Sequence, residues 1–310
     1  MKLTRIEIEN FRCFEKLSAP LQPDVNVFVG VNGAGKTAIL DAVAIALSNI
    51  VAGPLHSDEW KRIKEDQGAD LRPADIYIAP GFRDPVIGRR ERAEVTAWAG
   101  DYQELPGFPA KTPDGHPNIF EWAENISYQP PHTFLSGTRT GVGQNFFRYF
   151  EALWRDVRGS GAGGPILLPV FAYYRASRRM TPMPPLENLF AAEGREAAFL
   201  NALDAGADYQ EMCKWFYLRE NQELRERFHG NGDSGSEFPD LKAVRQALAL
   251  SLVNVSRIFF DHNPPRLKIE FAGSGDAVPL TLELEQLSDG YRNLLALILD
   301  FARRLAQANP

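Results

Sequence analysis

The chain has 310 residues, 44% of them hydrophobic, enough for a substantial core in one large domain or two smaller ones. Its net charge of −6 argues against wholesale coating of nucleic acid, while leaving room for a local basic patch. Cys13 and Cys213 lie far apart and offer neither metal spacing nor a disulfide framework, which suits a reducing cytoplasm and predicts a small buried apolar role for each. No run of about twenty apolar residues predicts a membrane span, and Met1, Lys2, Leu3, Thr4 and Arg5, followed by Glu7 and Glu9, do not read as a signal peptide.

Residues 3–9 alternate, Ile6 and Ile8 inward and Glu7 and Glu9 outward, which predicts a half-buried strand. Pro20 and Pro23 punctuate the turn into a second strand, Val25, Asn26, Val27, Phe28 and Val29, read as short and buried. That strand runs into Gly30, Val31, Asn32, Gly33, Ala34, Gly35, Lys36 and Thr37, a fit to the phosphate-binding pattern G-x-x-x-x-G-K-[ST]. Glycines let the backbone turn tightly and bring its N–H groups to phosphate oxygens. Lys36 would reach the β- and γ-phosphates, and the Thr37 hydroxyl would hold Mg²⁺. Ile39, Leu40, Val43, Ile45, Ala46 and Leu47 predict a helix that is apolar almost all round and therefore buried, with its positive end at the anion. Strand, glycine loop and helix are the context the motif demands, so ATP and Mg²⁺ are the predicted cofactors.

Gly53 and Pro54 end that helix. Residues 75–79 and 93–98 read as further strands, and Arg89, Arg90 and Arg92 between them as a solvated hairpin edge or a nucleic-acid contact. Residues 100–165, rich in Gly, Pro and aromatic residues, read as an insertion closed by a flexible glycine-rich connector at 159–164. Within it, residues 145–157 have helical spacing, with Phe146, Phe147, Phe150, Leu153 and Trp154 as the apolar stripe. Residues 166–174 form a strongly apolar strand that empties into Arg175, Arg178 and Arg179, either a ligand site at a sheet end or an ordinary exposed loop.

Residues 185–255 read as a helical subdomain. Residues 186–229 are predominantly helical, with Trp215, Phe216, Leu218 and Leu224 inward and Arg219, Glu220, Glu223, Arg225, Glu226 and Arg227 on the other side. A loop at 230–235 and a helix at 241–255 follow. Residues 266–271 and 278–284 predict a hairpin that turns at Gly273, Ser274, Gly275 and Asp276. Ser288 stands where an N-cap would stand, ahead of a helix with Leu294, Leu297, Ile298, Phe301 and Leu305 as its apolar face. His56, His116, His132, His229 and His262 are scattered without zinc spacing, so no nuclease metal site is visible.

Residues 8–14 (Ile-Glu-Asn-Phe-Arg-Cys-Phe), the P-loop, and Leu287, Ser288, Asp289, Gly290, Tyr291 and Arg292 together resemble an ABC-type ATPase head of the SMC-like and RecF-like branch. With Phe171, Ala172, Tyr173, Tyr174 and Arg175 they are similar to the ATPase subunits of the Septu and retron-associated anti-phage systems. The likeness spans residues 1–50 and 256–310, is weak over 53–165 and about 185–250, and has Asp289 where the usual signature has Gly.

The resemblance implies an α/β fold, a P-loop NTPase of the ABC-ATPase head type over residues 1–310, with an N-terminal antiparallel β portion and an inserted helical portion. It implies Arg12, Asn32, Gly33, Ala34, Gly35, Lys36 and Thr37 around the nucleotide, with Thr37 on Mg²⁺. Ser288, Asp289 and Gly290 would face the γ-phosphate of a nucleotide held by a second subunit. Tyr174 would lie near the Q-loop, though no clear Gln stands there. The implied assembly is a cytoplasmic homodimer, or higher homo-oligomer, of ATP-bound heads that switches an effector nuclease in anti-phage defence. The alternatives are a DNA-repair or chromosome-associated ATPase that binds DNA or RNA directly, and a nucleotide-sensing scaffold with little hydrolysis. Residues 185–255 hold only short helices and no long heptad coiled coil, which disfavours the chromosome-structure version. The Walker B aspartate and catalytic glutamate that the resemblance implies do not occur before Pro310. Catalytic residues are therefore unassigned, a fragment is expected, and this segment alone is expected to hydrolyse ATP very slowly.

Overall fold

A computed structural model of the chain describes residues 1–52, 70–80, 90–129, 133–141, 145–159, 166–174, 194–203, 210–229, 237–252, 254–262, 265–273 and 278–310. The chain divides into two compact units, Met1–Pro169 and Val170–Pro310. Arg89, Arg175, Arg178 and Arg179, Gly53 and Pro54, the connector after Gly159, the loop at 230–235 and the turn at 274–277 lie outside the described residues.

Unit 1 is built on a five-stranded antiparallel sheet in the order β2-β1-β3-β4-β5. Its strands are β1 (Lys2–Phe11), β2 (Phe14–Pro20), β3 (Arg92–Gly100), β4 (Phe120–Gln129) and β5 (Thr133–Thr140). The alternation read in residues 3–9 sets the register: Ile6 pairs with Ala97 and Ile8 with Val95, all four buried. On the other face, charges of both signs pair in solvent, Arg5 with Glu7, Lys16 with Glu9, and Glu94 with both Arg92 and Arg139. Arg90 pairs with Glu15, so Arg90 and Arg92 sit in a solvated lattice of ion pairs.

The buried face is covered by α1 (Lys36–Ala52) and α2 (Phe146–Gly159). The Trp122 indole N–H donates to the carbonyl of Ala46 at 2.7 Å, fastening β4 to α1. Its ring stacks on Phe146 at 3.7 Å, and Phe120, Tyr102, Tyr149 and Phe150 extend the cluster. The helical spacing read in residues 145–157 is thus found as a helix, and β4 and β5, drawn from the 100–165 segment, belong to the same sheet as β1.

Three strand expectations fail. Residues 166–174 are described but enter no strand. Residues 75–79 hold a 3-10 turn, Pro73–Asp75, and a bridge from Ile76 to Phe11 instead of a full strand. The buried strand expected at residues 25–29 is absent: Val25, Val27 and Val29 are 73%, 76% and 90% exposed, and no described residue forms a backbone hydrogen bond with this stretch. A β-rich composition makes a strand only where lateral partners complete it, and the five strands of unit 1 pair without this stretch. Leu40 is likewise exposed on α1, and Cys13 is exposed while Cys213 is buried.

Unit 2 packs three helices, α3 (Gln210–His229), α4 (Pro239–Ser251) and α5 (Asp289–Ala308), with an antiparallel sheet in the order β6-β7-β8. Its strands are β6 (Val255–His262), β7 (Pro265–Phe271) and β8 (Leu280–Glu283). The predicted hairpin is β7 and β8, whereas β6 was missed and Val255 belongs to it and not to the preceding helix. The core gathers Met212, Phe216, Leu241, Leu248, Ile258, Ile269, Leu295 and Leu299.

Two helix faces also differ from expectation. On α3, Leu224 is exposed while Glu220 and Glu223 are buried. Both carboxylates are satisfied inside: Glu220 accepts from the Phe260 amide at 2.9 Å, Glu223 from the Phe238 amide at 2.8 Å, and Arg245 reaches both. Burial pushes the Glu220 carboxyl up from its ordinary value, against the pull of the Phe260 amide and Arg245. On α5, Leu294, Phe301 and Leu305 are exposed, and the inward face carries Leu295, Ala296 and Leu299 together with Asp300, Arg303 and Arg304. Asp300 accepts from Arg303 at 2.7 Å, from Arg304 at 2.7 Å and from the Tyr174 hydroxyl at 2.8 Å. Arg304 also donates to the carbonyls of Ala198 and Leu200. Full pairing lets charges occupy the inward face, and the apolar stripe turns outward as a result.

Candidate nucleotide-binding site

The site in unit 1 is the loop between residue 29 and α1. Gly33 and Gly35 adopt φ +85° and +90°, a region that glycine enters without strain. At Gly35 the requirement is double, because a Cβ there would lie 2.6 Å from the Cys13 sulfur and 2.6 Å from the Phe14 ring. The turn between β1 and β2 therefore packs directly under the loop. The Lys36 ammonium folds back over the loop and donates to the carbonyls of Gly30 at 2.7 Å and Val31 at 2.8 Å, closing the loop into a ring. The Ala34 amide bonds to the Val31 carbonyl, and the Ile39 amide to the Gly35 carbonyl opens the helical ladder.

Among the described residues, no hydrogen bond engages the amides of Gly33, Gly35, Lys36 and Thr37. These donors stand at the N-terminus of a seventeen-residue helix, where partial positive charge gathers. Asn32, Gly33, Ala34 and Thr37 are exposed. An exposed ring of unspent N–H groups, an ammonium and a helix end is chemically suited to a polyphosphate. The Thr37 hydroxyl, on the first turn, could supply one oxygen to Mg²⁺, with phosphate oxygens supplying more. No cluster of three or more His, Cys, Asp or Glu among the described residues could hold a metal by itself.

Arg12, assigned to the nucleotide by resemblance, is engaged elsewhere. Its Nε donates to Asp75 Oδ1 at 2.8 Å and its Nη1 to Asp41 Oδ2. Neither aspartate was singled out in the sequence, although Asp41 is a charge inside an otherwise apolar helical run, the signal that could have found it.

In unit 2, Ser288 accepts from the Tyr291 amide at 3.4 Å and caps α5. Asp289 pairs with Arg292 along the first turn, and a Cβ at Gly290 would meet open space. Ser288, Asp289 and Gly290 are all exposed. This too is an accessible helix N-terminus, already provided with its own cap.

Comparison with known proteins bears on the P-loop, which lies within the stretch matched by a family model. Residues 1–72 match the family described as the AAA ATPase domain. The chain is 35% identical over 106 residues to the DNA replication and repair protein RecF of Heliobacterium modesticaldum, a match covering 31% of this chain and 26% of that relative. It is 40% identical over 93 residues to the DNA double-strand break repair Rad50 ATPase of Halobacterium salinarum, covering 30% and 10%. Over 48 residues it is 46% identical to the OLD nuclease of Thermus scotoductus, covering 16% and 9%. These likenesses support an ABC-type, RecF-like P-loop ATPase. The chain spans about a quarter of the RecF relative and a tenth of the Rad50 relative. A solved structure of the recombination mediator RecF with ATP aligns over 97% of this chain and 80% of its own at 13% identity, with a TM-score of 0.36, too loose a likeness to decide the fold. No helix among the described residues is long and apolar enough to cross a membrane.

Proposed function

We propose that the chain is the nucleotide-binding part of a RecF-like ATPase, which takes ATP with Mg²⁺ on the 30–37 loop and uses it to switch between separate and paired heads. The observation that carries this reading is the closed loop itself: glycines at positive φ, Lys36 folded over it, and four amides unspent. Lys36 would meet the β- and γ-phosphates, Asn32, Gly33, Ala34 and Gly35 would cradle them, and Thr37 would hold the metal. Ser288, Asp289 and Gly290 of a second copy would close the open side of the γ-phosphate, giving a twofold pair with two nucleotides between heads. ATP is then the ligand whose differential affinity favours the paired state.

The likeness to RecF and Rad50 favours DNA as the partner gripped by the pair. The finer alternative is a switch that controls an effector nuclease in anti-phage defence, and the OLD nuclease likeness gives it some support. Calorimetric titration with Mg·ATP tests the core of the reading. The wild-type chain is expected to bind, and Lys36→Ala to lose most of the affinity; equal affinity for the two would sink the assignment.

A further inference from the structure

Arg12 is held by two carboxylates and by its own backbone amide. Its neighbours Asp41 and Asp75 have side chains only 5% and 10% exposed, while that of Arg12 is 34% exposed. The Arg12 amide also donates to the Asp75 carbonyl at 2.6 Å, so backbone and side chain grip the same residue. Asp75 is fixed in turn, its second oxygen accepting from the Arg72 amide at 2.9 Å. The guanidinium lies over the Phe11 ring, 4.9 Å from its centre. Arg12 sits at φ +51° and Asn10 at φ +50°, conformations that a side-chain-bearing residue keeps only where its surroundings over-determine them. To reach a nucleotide, this arginine would have to give up its ion pairs with two buried carboxylates, a severe cost.

Asp41 lies one helical turn beyond Thr37 on the same face of α1, which puts the two Cβ atoms about 6 Å apart. An unscreened carboxylate there would oppose the phosphates that the helix N-terminus attracts. We propose that Arg12 is a positioning residue: it clamps the P-loop helix to the β1–β2 turn through Asp41 and screens that carboxylate from the bound nucleotide, without touching a phosphate itself. Burial weakens its charge, and the hydrogen bonds to Asp75 and Asp41 more than restore it, so the guanidinium stays charged throughout.

This inference rests on the nucleotide reading, and titration of the chain with Mg·ATP separates the two. Arg12→Gln is expected to weaken ATP binding on the order of tenfold, because Asp41 loses the guanidinium charge that screens it. The triple variant Arg12→Gln, Asp41→Asn, Asp75→Asn keeps amide hydrogen bonds in place of the charges and is expected to return to within about threefold of wild type. A direct phosphate contact predicts the opposite, a triple variant as weak as the single one, and that result overturns the proposal. So does full affinity in Arg12→Gln. Should Arg12→Gln fail to fold by thermal melt, the triple variant against wild type decides alone. A folded wild-type chain that binds no ATP overturns the nucleotide reading instead.

Discussion

Helices α1 and α5 both open at exposed N-termini suited to anions, and each is anchored by a buried aspartate, yet the anchors are built with opposite arithmetic. At α1 one guanidinium, Arg12, lies between two carboxylates, Asp41 and Asp75, and the three come from distant parts of unit 1. At α5 one carboxylate, Asp300, lies between two guanidiniums three and four residues further along the same helix. The first cluster keeps one edge in solvent; the second is wholly inside, and Arg304 spends further donors on backbone carbonyls. An anchor that joins separate elements and touches water can tune a site, whereas one sealed within a core either holds or fails.

The sharpest way to break this contrast is Asp300→Ala. It leaves two guanidiniums buried without a counter-charge and is expected to cost about 3–5 kcal/mol in urea unfolding. A loss below about 1 kcal/mol would mean that the inward charges of α5 do not hold it. Acid gives the next largest effect. Burial alone would raise the Asp300 carboxyl, but Arg303 and Arg304 outweigh it and hold it at about 2. Its folded value thus lies below the unfolded value of about 3.9, so its stabilisation is complete above about pH 4 and fades as pH falls towards 2, amounting to about 2–3 kcal/mol. The stability gap between wild type and Asp300→Asn should therefore shrink between pH 5 and pH 2.5, and a constant gap would refute the pairing.

At the other helix, Gly35→Ala places a methyl group against Cys13 and Phe14 at a positive φ and is expected to cost about 1–3 kcal/mol. Thermal melts of this variant with and without Mg·ATP show whether the strain also blocks the loop. Ser288→Ala sharpens the comparison least, removing one cap for about 1 kcal/mol, read by amide exchange in the first turn of α5.

Local chemistry made part of this structure legible in advance. The glycine loop, the alternation of β1, the helix over residues 145–157 and the Ser288 cap each depend on neighbours within a few positions. What was missed depends on partners far along the chain. Counting apolar residues put Leu294, Phe301 and Leu305 inside, because nothing local reveals that Tyr174, Ala198 and Leu200 satisfy Asp300 and Arg304. Glu220 and Glu223 were read as solvated for the same reason, their acceptors being filled by Phe260 and Phe238. Arg12 could be matched to a motif, but its partners Asp41 and Asp75 lie 29 and 63 positions away.

The bare stretch from Val25 to Val29 also governs how the protein behaves in the tube. An uncharged, proline-free, β-branched run with unspent backbone groups is the template on which another strand adds itself. It gives the chain a colloidal weak point at a known address. Concentrated stocks are expected to gain β-rich particles from this stretch, and a single lysine placed within it is expected to slow that growth, read by thioflavin fluorescence.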